Sequence, residues 1–276
     1  MTLHVLATPL GNLDDLSPRA REVLANAALI ACEDTRRTAK LLARYGIEAP
    51  LLAVHKFSER ERLAPVLSVL RRGDDVALVS DGGTPGIADP GALLVAAALD
   101  EGIRVSPVPG PSAVIALLSA SGLPSDRFTF EGFLPARGGE RRRRLRELAP
   151  LPHTWVFYEA PHRIRETLQD AGEILGPRTL VLGRELTKIH ETLVRGTAGE
   201  ILHALGEDPK GEIAVAVAPS DGTPLEGGDG LEEAWAKAIA ASGGNQRAAL
   251  KDAARATGLK KAELWRRLLE RRLVRG

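Results

Sequence analysis

The sequence predicts an α/β protein with two α/β domains, followed by a small C-terminal helical segment of helix-turn-helix type. Short apolar runs alternate with helical patterns over most of the chain, and this alternation is typical of largely parallel sheets covered by helices. A Gly-, Pro- and Asp-rich stretch then ends the alternation, and only helical patterns follow it. A length of 276 residues suits two domains and an appendage, since domains run about 100–200 residues. The predicted parts are an N-terminal α/β domain over 1–110, a C-terminal α/β domain over 111–219, a linker over 220–230 and a basic helical segment over 231–276.

Elements of the first domain follow from apolar runs separated by helical patterns. Ser17 and Pro18 are typical of a helix start, with a serine N-cap and proline at the first helical position. Strands are predicted at 3–7, 29–31, 51–54, 76–79 and 103–108. Further helices are predicted at 36–45, 59–71 and 91–100.

In the second domain, one strand follows another without a long helix between them, at 179–182 and 191–195. Parallel neighbours need a long crossover, so we expect a mixed sheet here. The other predicted strands are 127–131, 154–158 and 212–218. Helices are predicted at 112–121, 139–149, 161–175 and 197–205, and three more at 231–241, 245–257 and 260–273.

Charge is balanced overall but uneven along the chain. The protein has 37 Lys and Arg against 36 Asp and Glu, whereas residues 231–276 carry eleven basic and five acidic residues. A basic tail on a mildly acidic body indicates either an anionic partner or a solvated helix face, and charge alone leaves both open.

Several classes of protein are disfavoured by what the sequence lacks. Cys32 is the single cysteine, which excludes an intrachain disulfide and fits a reducing compartment. No apolar run approaches the roughly 18 residues of a membrane span, and the N-terminus does not resemble a signal peptide. The six histidines show no metal-binding spacing. We therefore expect a cytoplasmic protein without a metal site or a membrane anchor.

Glycine and proline concentrate in four loops, each directly after a predicted strand. These loops are 7–12, 80–91, 107–113 and 158–163. Open α/β sheets bind ligands at the carboxyl ends of their strands, although each loop by itself could be a tight turn. The loop at 80–91 is longer than a turn requires, which favours function. A G-x-G-x-x-G fingerprint and a P-loop are both absent, so dinucleotide and nucleotide binding lose their main support.

Charged residues also follow the predicted strands, at 33–37, 55–56 and 183–188. They are either structural ion pairs or a site that positions a polar substrate and deprotonates a hydroxyl group. Both interpretations stay open at this point.

Seven motifs occur in order between Leu3 and Ala218 and together resemble a known family. They are ATPLGNLDDLSPRA, CEDTRRT, LVSDGGTPGIADPG, PVPGPSA, LPSDRFTFEGFLP, FYEAPHRI and GRELTKIHE. This set resembles the 16S rRNA (cytidine 2′-O) methyltransferase branch of the tetrapyrrole methylase superfamily, in which Ser80-Asp81-Gly82 takes the place of the G-D-P-type loop. The resemblance implies two domains of the tetrapyrrole methylase (class III methyltransferase) type, a homodimer, and S-adenosylmethionine bound in the cleft between the domains.

The resemblance also implies which residues surround the methyl donor. They are Pro9, Asp81, Thr84, Pro85, Ala88, Ser112, Ala113, Tyr158, Glu159, Ala160 and Ala214. The chemistry of the donor is compatible with such loops, because a sulfonium cation with an adenine needs backbone polar contacts and apolar walls rather than a pyrophosphate cradle.

The implied reaction is methylation of a ribose 2′-hydroxyl of a cytidine in the small ribosomal subunit or its rRNA. A hydroxyl is a weak nucleophile that needs a base or a cation beside it, and the candidates are Asp34, Glu185 and Lys188. Basic residues predicted to hold RNA are Arg36, Arg141, Arg142, Arg143, Arg184, Lys260 and Lys261. Two alternatives stay open: an enzyme of the same fold acting on a tetrapyrrole or another small acceptor, and a non-catalytic RNA-binding ribosome-assembly factor.

Overall fold

The computed structural model describes residues 1–55, 59–222, 231–257, 259–270 and 273–274. The chain divides into a first unit, Met1–Ala120 with Glu185–Thr192, and a second unit, Ser121–Arg184 with Leu193–Gly276. This division differs from the predicted one in three respects. The boundary falls after Ala120 rather than after residue 110, the segment Glu185–Thr192 belongs to the first unit, and the C-terminal helices group with the second unit. Residues 223–230 of the predicted linker, and also Lys56 and Gly258, lie outside the described residues.

The first unit contains a parallel five-stranded sheet in the order β3-β2-β4-β1-β5. Its strands are β1 (Thr2–Leu6), β2 (Leu29–Cys32), β3 (Leu51–Ala53), β4 (Val76–Leu78) and β5 (Arg104–Val108). Its helices are α1 (Pro18–Asn26), α2 (Thr35–Arg44), α3 (Glu59–Arg71), α4 (Ala92–Asp100) and α5 (Ala113–Ser121). The α/β class and all the predicted elements of this unit are confirmed, with bounds that differ by at most two residues.

Both faces of this sheet are buried, which explains why its strands appear as continuous apolar runs. In β4 and the residue after it, Val76 and Leu78 pack into one apolar cluster, whereas Ala77 and Val79 pack into another. Helix α1 begins where the sequence predicts, since the side chain of Ser17 accepts a hydrogen bond from the N–H of Ala20 at 3.1 Å.

The second unit contains a mixed sheet in the order β6-β7-β10-β8-β9, as predicted. β6 is parallel to β7, and β10 runs antiparallel to both β7 and β8. The strands are β6 (Phe128–Phe133), β7 (Thr154–Glu159), β8 (Leu180–Arg184), β9 (Thr192–Gly196) and β10 (Ile213–Val217). The helices are α6 (Gly138–Leu148), α7 (Ile164–Leu175), α8 (Ala198–Ala204), α9 (Leu231–Ala241), α10 (Gln246–Thr257) and α11 (Lys261–Glu270).

The last three helices form a small apolar core of their own. Leu231 and Trp235 of α9 pack with Ala249 and Ala253 of α10 and with Leu264 of α11. The predicted helical segment is therefore present, although its last predicted residues include 271–272, which lie outside the described part.

Candidate functional site

Two of the predicted loops are joined through their backbones in the first unit. Thr8 and Gly83 exchange backbone hydrogen bonds, each of 2.9 Å, and form an isolated antiparallel bridge. The hydroxyl of Thr8 also donates to the carbonyl of Ser80 at 3.0 Å. These contacts hold the loop after β1 against the loop after β4.

The third loop, after β5, contacts the same two loops. The hydroxyl of Thr84 donates to the carbonyl of Pro111 at 3.2 Å. Glycine permits this close approach, because a Cβ atom at Gly110 would lie 3.1 Å from the Cβ of Ala7, and one at Gly82 would lie 3.3 Å from the carbonyl oxygen of Pro9. Three of the four predicted loops therefore meet at one edge of the first sheet.

A buried carboxylate holds the far end of the 80–91 loop. Glu59 is buried, and its Oε1 accepts hydrogen bonds from the N–H groups of Gly91 at 3.0 Å, Leu93 at 2.9 Å and Leu94 at 3.3 Å. A carboxylate is favourable here because the first N–H groups of α4 need acceptors and carry partial positive charge. Sequence reasoning missed Glu59, because its contacts with the start of α4 join residues that lie 32 to 35 positions apart.

The segment Glu185–Thr192 lies against the first loop. The stem of Lys188 covers Gly11, where a Cβ atom would lie 2.1 Å from the lysine Cγ. The N–H of Asn12 donates to the hydroxyl of Thr187 at 3.2 Å, and the ammonium group of Lys188 donates to Glu185 at 2.7 Å. The structure thus brings two predicted catalytic residues, Glu185 and Lys188, beside the loop that contains Pro9.

Backbone strain concentrates in these same segments. Within the described residues, the non-glycine residues with positive φ are Ala88 at 67°, Glu185 at 52° and Thr187 at 68°. Residues held in this region cost about 1–3 kcal/mol each and cluster at functional sites. All three lie in segments that the sequence singled out for function.

Asp34, the third predicted catalytic residue, is occupied by structural contacts. Its side chain caps α2 by accepting a hydrogen bond from the N–H of Arg36 at 2.8 Å, and it also accepts two from the Arg36 guanidinium, at 2.7 and 3.1 Å. Hydrogen bonds from Arg36 hold the pKa of this carboxyl far below its usual range. The same contacts hold Arg36, a predicted RNA-binding residue, on the surface with an 86% exposed side chain. Asp34 is therefore a poor proton acceptor.

Glu33 and Asp81 differ from Asp34. Asp81 accepts a hydrogen bond from the backbone N–H of Asp34 at 2.9 Å and lies 3.5 Å from Arg37. Burial, and then the negative charge of Asp81, raise the pKa of Glu33. A carboxyl with a raised pKa is the better general base near neutral pH. Sequence reasoning named the motif that contains Glu33 but did not select this residue. A stretch of five polar residues does not indicate which of its side chains is partly buried.

The donor-site residues predicted in the second unit surround the end of β7. Ala214 of β10 is buried and pairs in register with Tyr158. Tyr158 is half-buried, with the rings of Phe130 and Phe133 edge-on at 4.9 and 5.7 Å. The small side chain of Ala214 therefore lies beside a cluster of three aromatic rings.

Glu159, also predicted to contact the donor, has a fully buried and occupied side chain. It accepts hydrogen bonds from the Thr167 hydroxyl at 2.7 Å, from the N–H of Ala160 at 2.8 Å and from the guanidinium of Arg163. The carboxylate therefore organises the start of α7, and the backbone at Glu159 is what remains available for a ligand.

The predicted phosphate contact of Arg141 is opposed by the structure. Its side chain is 3% exposed, and its Nε donates to Asp170 at 2.7 Å. Arg142 pairs with Asp170 at 2.9 Å, and Arg143 approaches Glu147 at 3.7 Å. The arginine run of α6 is mainly an ion-pair network, and Arg141 is part of the interior because Asp170 lies opposite it.

The remaining predicted RNA-binding residues lie elsewhere. Arg184 is half-buried at the end of β8, and Lys260 and Lys261 are exposed where α11 begins. In the described part of the chain, no group of three or more His, Cys, Asp or Glu side chains is arranged to hold a metal ion. No described helix is both long enough and apolar enough to cross a membrane.

Comparison with known proteins identifies a family and several relatives. The family profile of tetrapyrrole (corrin/porphyrin) methylases matches residues 2–202. The ribosomal RNA small subunit methyltransferase I of Xylella fastidiosa (strain Temecula1) is 54% identical over 220 residues, which cover 78% of this chain and 81% of that protein. The Mesorhizobium japonicum protein of the same name is 45% identical over 271 residues, covering 97% of this chain and 91% of that protein.

Solved structures share the fold at low sequence identity. The uroporphyrin-III C-methyltransferase of Thermus thermophilus, solved in complex with S-adenosylhomocysteine, aligns with a TM-score of 0.56 and 21% identity, over 78% of this chain and 96% of that one. The methyltransferase CobJ aligns with a TM-score of 0.60 and 20% identity, over 79% of this chain and 93% of that one.

Proposed function

This chain belongs to the tetrapyrrole (corrin/porphyrin) methylase family, and on that premise we propose that it transfers the methyl group of S-adenosylmethionine to a ribose 2′-hydroxyl of a cytidine in small-subunit ribosomal RNA. The observation that supports the proposal is the share of this chain that aligns with an rRNA methyltransferase. The family profile ends at residue 202, whereas the M. japonicum rRNA methyltransferase aligns over 97% of this chain, a share that extends into the basic C-terminal helices. Acceptors of tetrapyrrole type are disfavoured because the relatives named for them are only about one-fifth identical. The proposal includes a homodimer that acts in the cytoplasm.

The joined loops of the first unit have a composition suited to the methyl donor. They present backbone groups, the hydroxyl of Thr84 and the carboxylate of Asp81, and no lysine or arginine occurs within 80–91. A carboxylate and backbone dipoles suit a sulfonium cation and an amino acid, and glycines at 82 and 83 keep the loop surface open. The bound donor would supply an electrophilic methyl carbon on a positively charged sulfur. The proposed donor residues of the first unit are Pro9, Asp81, Thr84, Pro85, Ala88, Ser112 and Ala113, and those of the second are Tyr158, Glu159, Ala160 and Ala214.

The chain's own residues must hold the ribose hydroxyl and accept its proton. We assign this task to Glu185 and Lys188, whose side chains form a 2.7 Å pair against the first loop. The ammonium group of Lys188 stabilises negative charge that develops on the hydroxyl oxygen, and the Glu185 carboxylate accepts the proton. Glu33 is the competing base, because burial keeps its pKa above that of an ordinary glutamate. Asp34 is reassigned to the positioning of α2.

The proposal is tested by methyl transfer from labelled S-adenosylmethionine to small ribosomal subunits and to naked rRNA, followed by mapping of the labelled atom. Label on one ribose 2′-oxygen is the expected result. Label on a base nitrogen would overturn the 2′-oxygen assignment, and no label on either RNA would overturn the RNA acceptor.

Variants then separate the catalytic roles. Lys188→Met and Glu185→Gln are expected to lower kcat roughly 10²- to 10⁴-fold, the range for a positioned acid or base. Lys40→Met, which removes an exposed ammonium group from α2 of the same unit, is the matched control and should leave kcat unchanged. If Glu33→Gln abolishes the acidic limb of the pH–rate profile while Glu185→Gln does not, Glu33 is the base.

A further inference from the structure

The C-terminal helices carry an open groove whose volume is about 460 Å³. Ligand sites in proteins usually enclose roughly 300–1,000 Å³. The groove is lined by Gln246, Arg247 and Leu250 of α10 and by Lys261, Ala262 and Trp265 of α11. Trp265 is half-buried, because one part of its ring packs against the apolar core of these helices while another part faces the groove.

The cations of this groove occupy positions that do not stabilise the helices. Arg247 is the second residue of α10, and Lys261 is the first residue of α11, directly after Lys260. The N-terminus of a helix carries partial positive charge, so basic residues are unfavourable there. α10 has no acidic residue in its first turn, and its N–H groups at Arg247 and Ala248 donate to the side chain of Asn245. The stability of α10 and α11 therefore gives no reason for cations at these positions.

These two cations lack an acidic partner within the part of the segment whose side chains the structure describes. Among the residues that the structure describes, neither Arg247 nor Lys261 forms an ion pair. The nearby carboxylate of Glu263 accepts hydrogen bonds from Arg266 and Arg267, each at 2.8 Å. The groove therefore combines an aromatic surface with positive charge on both of the helices that form it.

We propose that this groove binds one unstacked base of single-stranded RNA, with the ring of Trp265 as the stacking surface and with Arg247 and Lys261 contacting the flanking phosphates. The proposal rests on the proposed function, because it takes RNA as the substrate class. An aromatic ring between cations is the usual arrangement for single-stranded nucleic acid, since every base has a face that can stack and every nucleotide carries a phosphate. A base within a duplex cannot reach such a ring, so the nucleotide bound here must lie in a loop, a bulge or a single-stranded end.

The stacking contact is tested by fluorescence anisotropy of a short labelled single-stranded RNA with the full-length protein. Trp265→Leu keeps an apolar side chain but removes the stacking ring, and we expect it to bind roughly 5- to 150-fold more weakly, the range for loss of one stacked base. Trp265→Tyr keeps a ring and should recover most of the affinity. The far-UV circular dichroism spectrum and calorimetric binding of S-adenosylhomocysteine should be the same for all three proteins, which excludes misfolding as the cause.

The phosphate contacts are tested by the salt dependence of the same binding. Arg247→Gln and Lys261→Gln should each lower the slope of log affinity against log salt by about one. Lys237→Gln, which removes an exposed charge from α9 outside the groove, should leave the slope unchanged.

Methyl transfer to small ribosomal subunits separates failure of this inference from failure of the proposed function. If the wild-type protein methylates subunits but the folded Trp265→Leu variant binds RNA as tightly as the wild type, the groove is not the RNA site. The same conclusion holds if that variant loses affinity for subunits but not for RNA, which would indicate a protein partner. Absence of methyl transfer by the wild-type protein would instead overturn the proposed function.

Discussion

The arginines of α6 and the cations at the starts of α10 and α11 are both groups of basic residues on helices, but they differ in their acidic partners. Arg141 and Arg142 share the carboxylate of Asp170, and Arg144 contacts Glu131 and Glu147. Within the described residues, by contrast, Arg247 and Lys261 have no acidic partner. The first group stabilises its own unit, whereas the second leaves its charge available to a ligand.

A count of basic residues therefore does not show which of them are paired with acidic residues. Glu140 and Glu147 lie within a helical turn of the α6 arginines, so their pairing could be expected from spacing. Asp170 lies 29 residues from Arg141 and contacts it only because α7 packs beside α6. A run of arginines predicts a nucleic-acid surface only when no other element supplies carboxylates to it.

The largest expected effect comes from removal of the buried acid of the α6 network. Asp170→Leu leaves the Arg141 guanidinium, 3% exposed, without its 2.7 Å partner. Loss of one partner of a buried pair costs about 3–5 kcal/mol, and urea denaturation should show a decrease of this size in the free energy of unfolding. Glu147→Leu, which breaks only surface pairs, should cost no more than about 1 kcal/mol. Equal costs would mean that burial does not distinguish these pairs.

An intermediate effect is expected on RNA binding when two positive charges are removed either from the start of α11 or from α6. Lys260→Gln with Lys261→Gln should lower the salt slope of RNA affinity by about two, because each lysine is expected to contact one phosphate. Arg142→Gln with Arg143→Gln removes the same charge from α6 and should change the slope much less. An equal change in both double variants would contradict the comparison.

The smallest effect concerns Glu263, the acid of the C-terminal helices. Hydrogen bonds from Arg266 and then Arg267 lower its pKa in the folded protein. Its pairing therefore stabilises the folded state above the ordinary glutamate pKa of about 4.3 and is lost as pH falls through the lower folded value. Glu263→Gln should slightly lower the melting temperature at pH 7, and this difference from the wild type should narrow on acidification. The variant should also bind RNA no more weakly, because it removes a negative charge from these helices. A difference that grows on acidification would show that the assigned pKa shift has the wrong sign.

Much of the fold could be predicted because its signals are local. Ser17-Pro18 marks a helix start by its own chemistry, and Val76–Leu78 is apolar throughout because both faces of β4 are buried. The three loops of the first unit lie at one edge of the sheet because they follow parallel strands, whose carboxyl ends share that edge. The unit to which Glu185–Thr192 belongs could not be predicted, because it depends on contacts such as that of Lys188 with Gly11.

The predicted site residues differ in how well sequence alone could assign them. Asp34 is of a residue type that favours N-caps, but its capping role depends on α2 beginning at Thr35, one residue before the predicted start. Glu33 and Glu59 were missed because their properties come from burial and from partners distant along the chain. The task of each side chain therefore depends on burial and on partners distant along the chain, which a sequence motif does not specify.

The return of Glu185–Thr192 to the first unit has a consequence for how the protein is made. Ala120 and Thr192 are 72 residues apart, so the ribosome must synthesise most of the second sheet before the first unit can be completed. At about 5–20 residues per second, the part of the first unit that ends at Ala120 waits roughly 4–14 seconds until Thr192 has been added. During that interval the first five strands can form, but the glycine surface that Lys188 covers stays open to water and to chaperones. A nascent chain therefore gains its complete first unit late in translation, when little more than β9, α8, β10 and the C-terminal helices remain to be made.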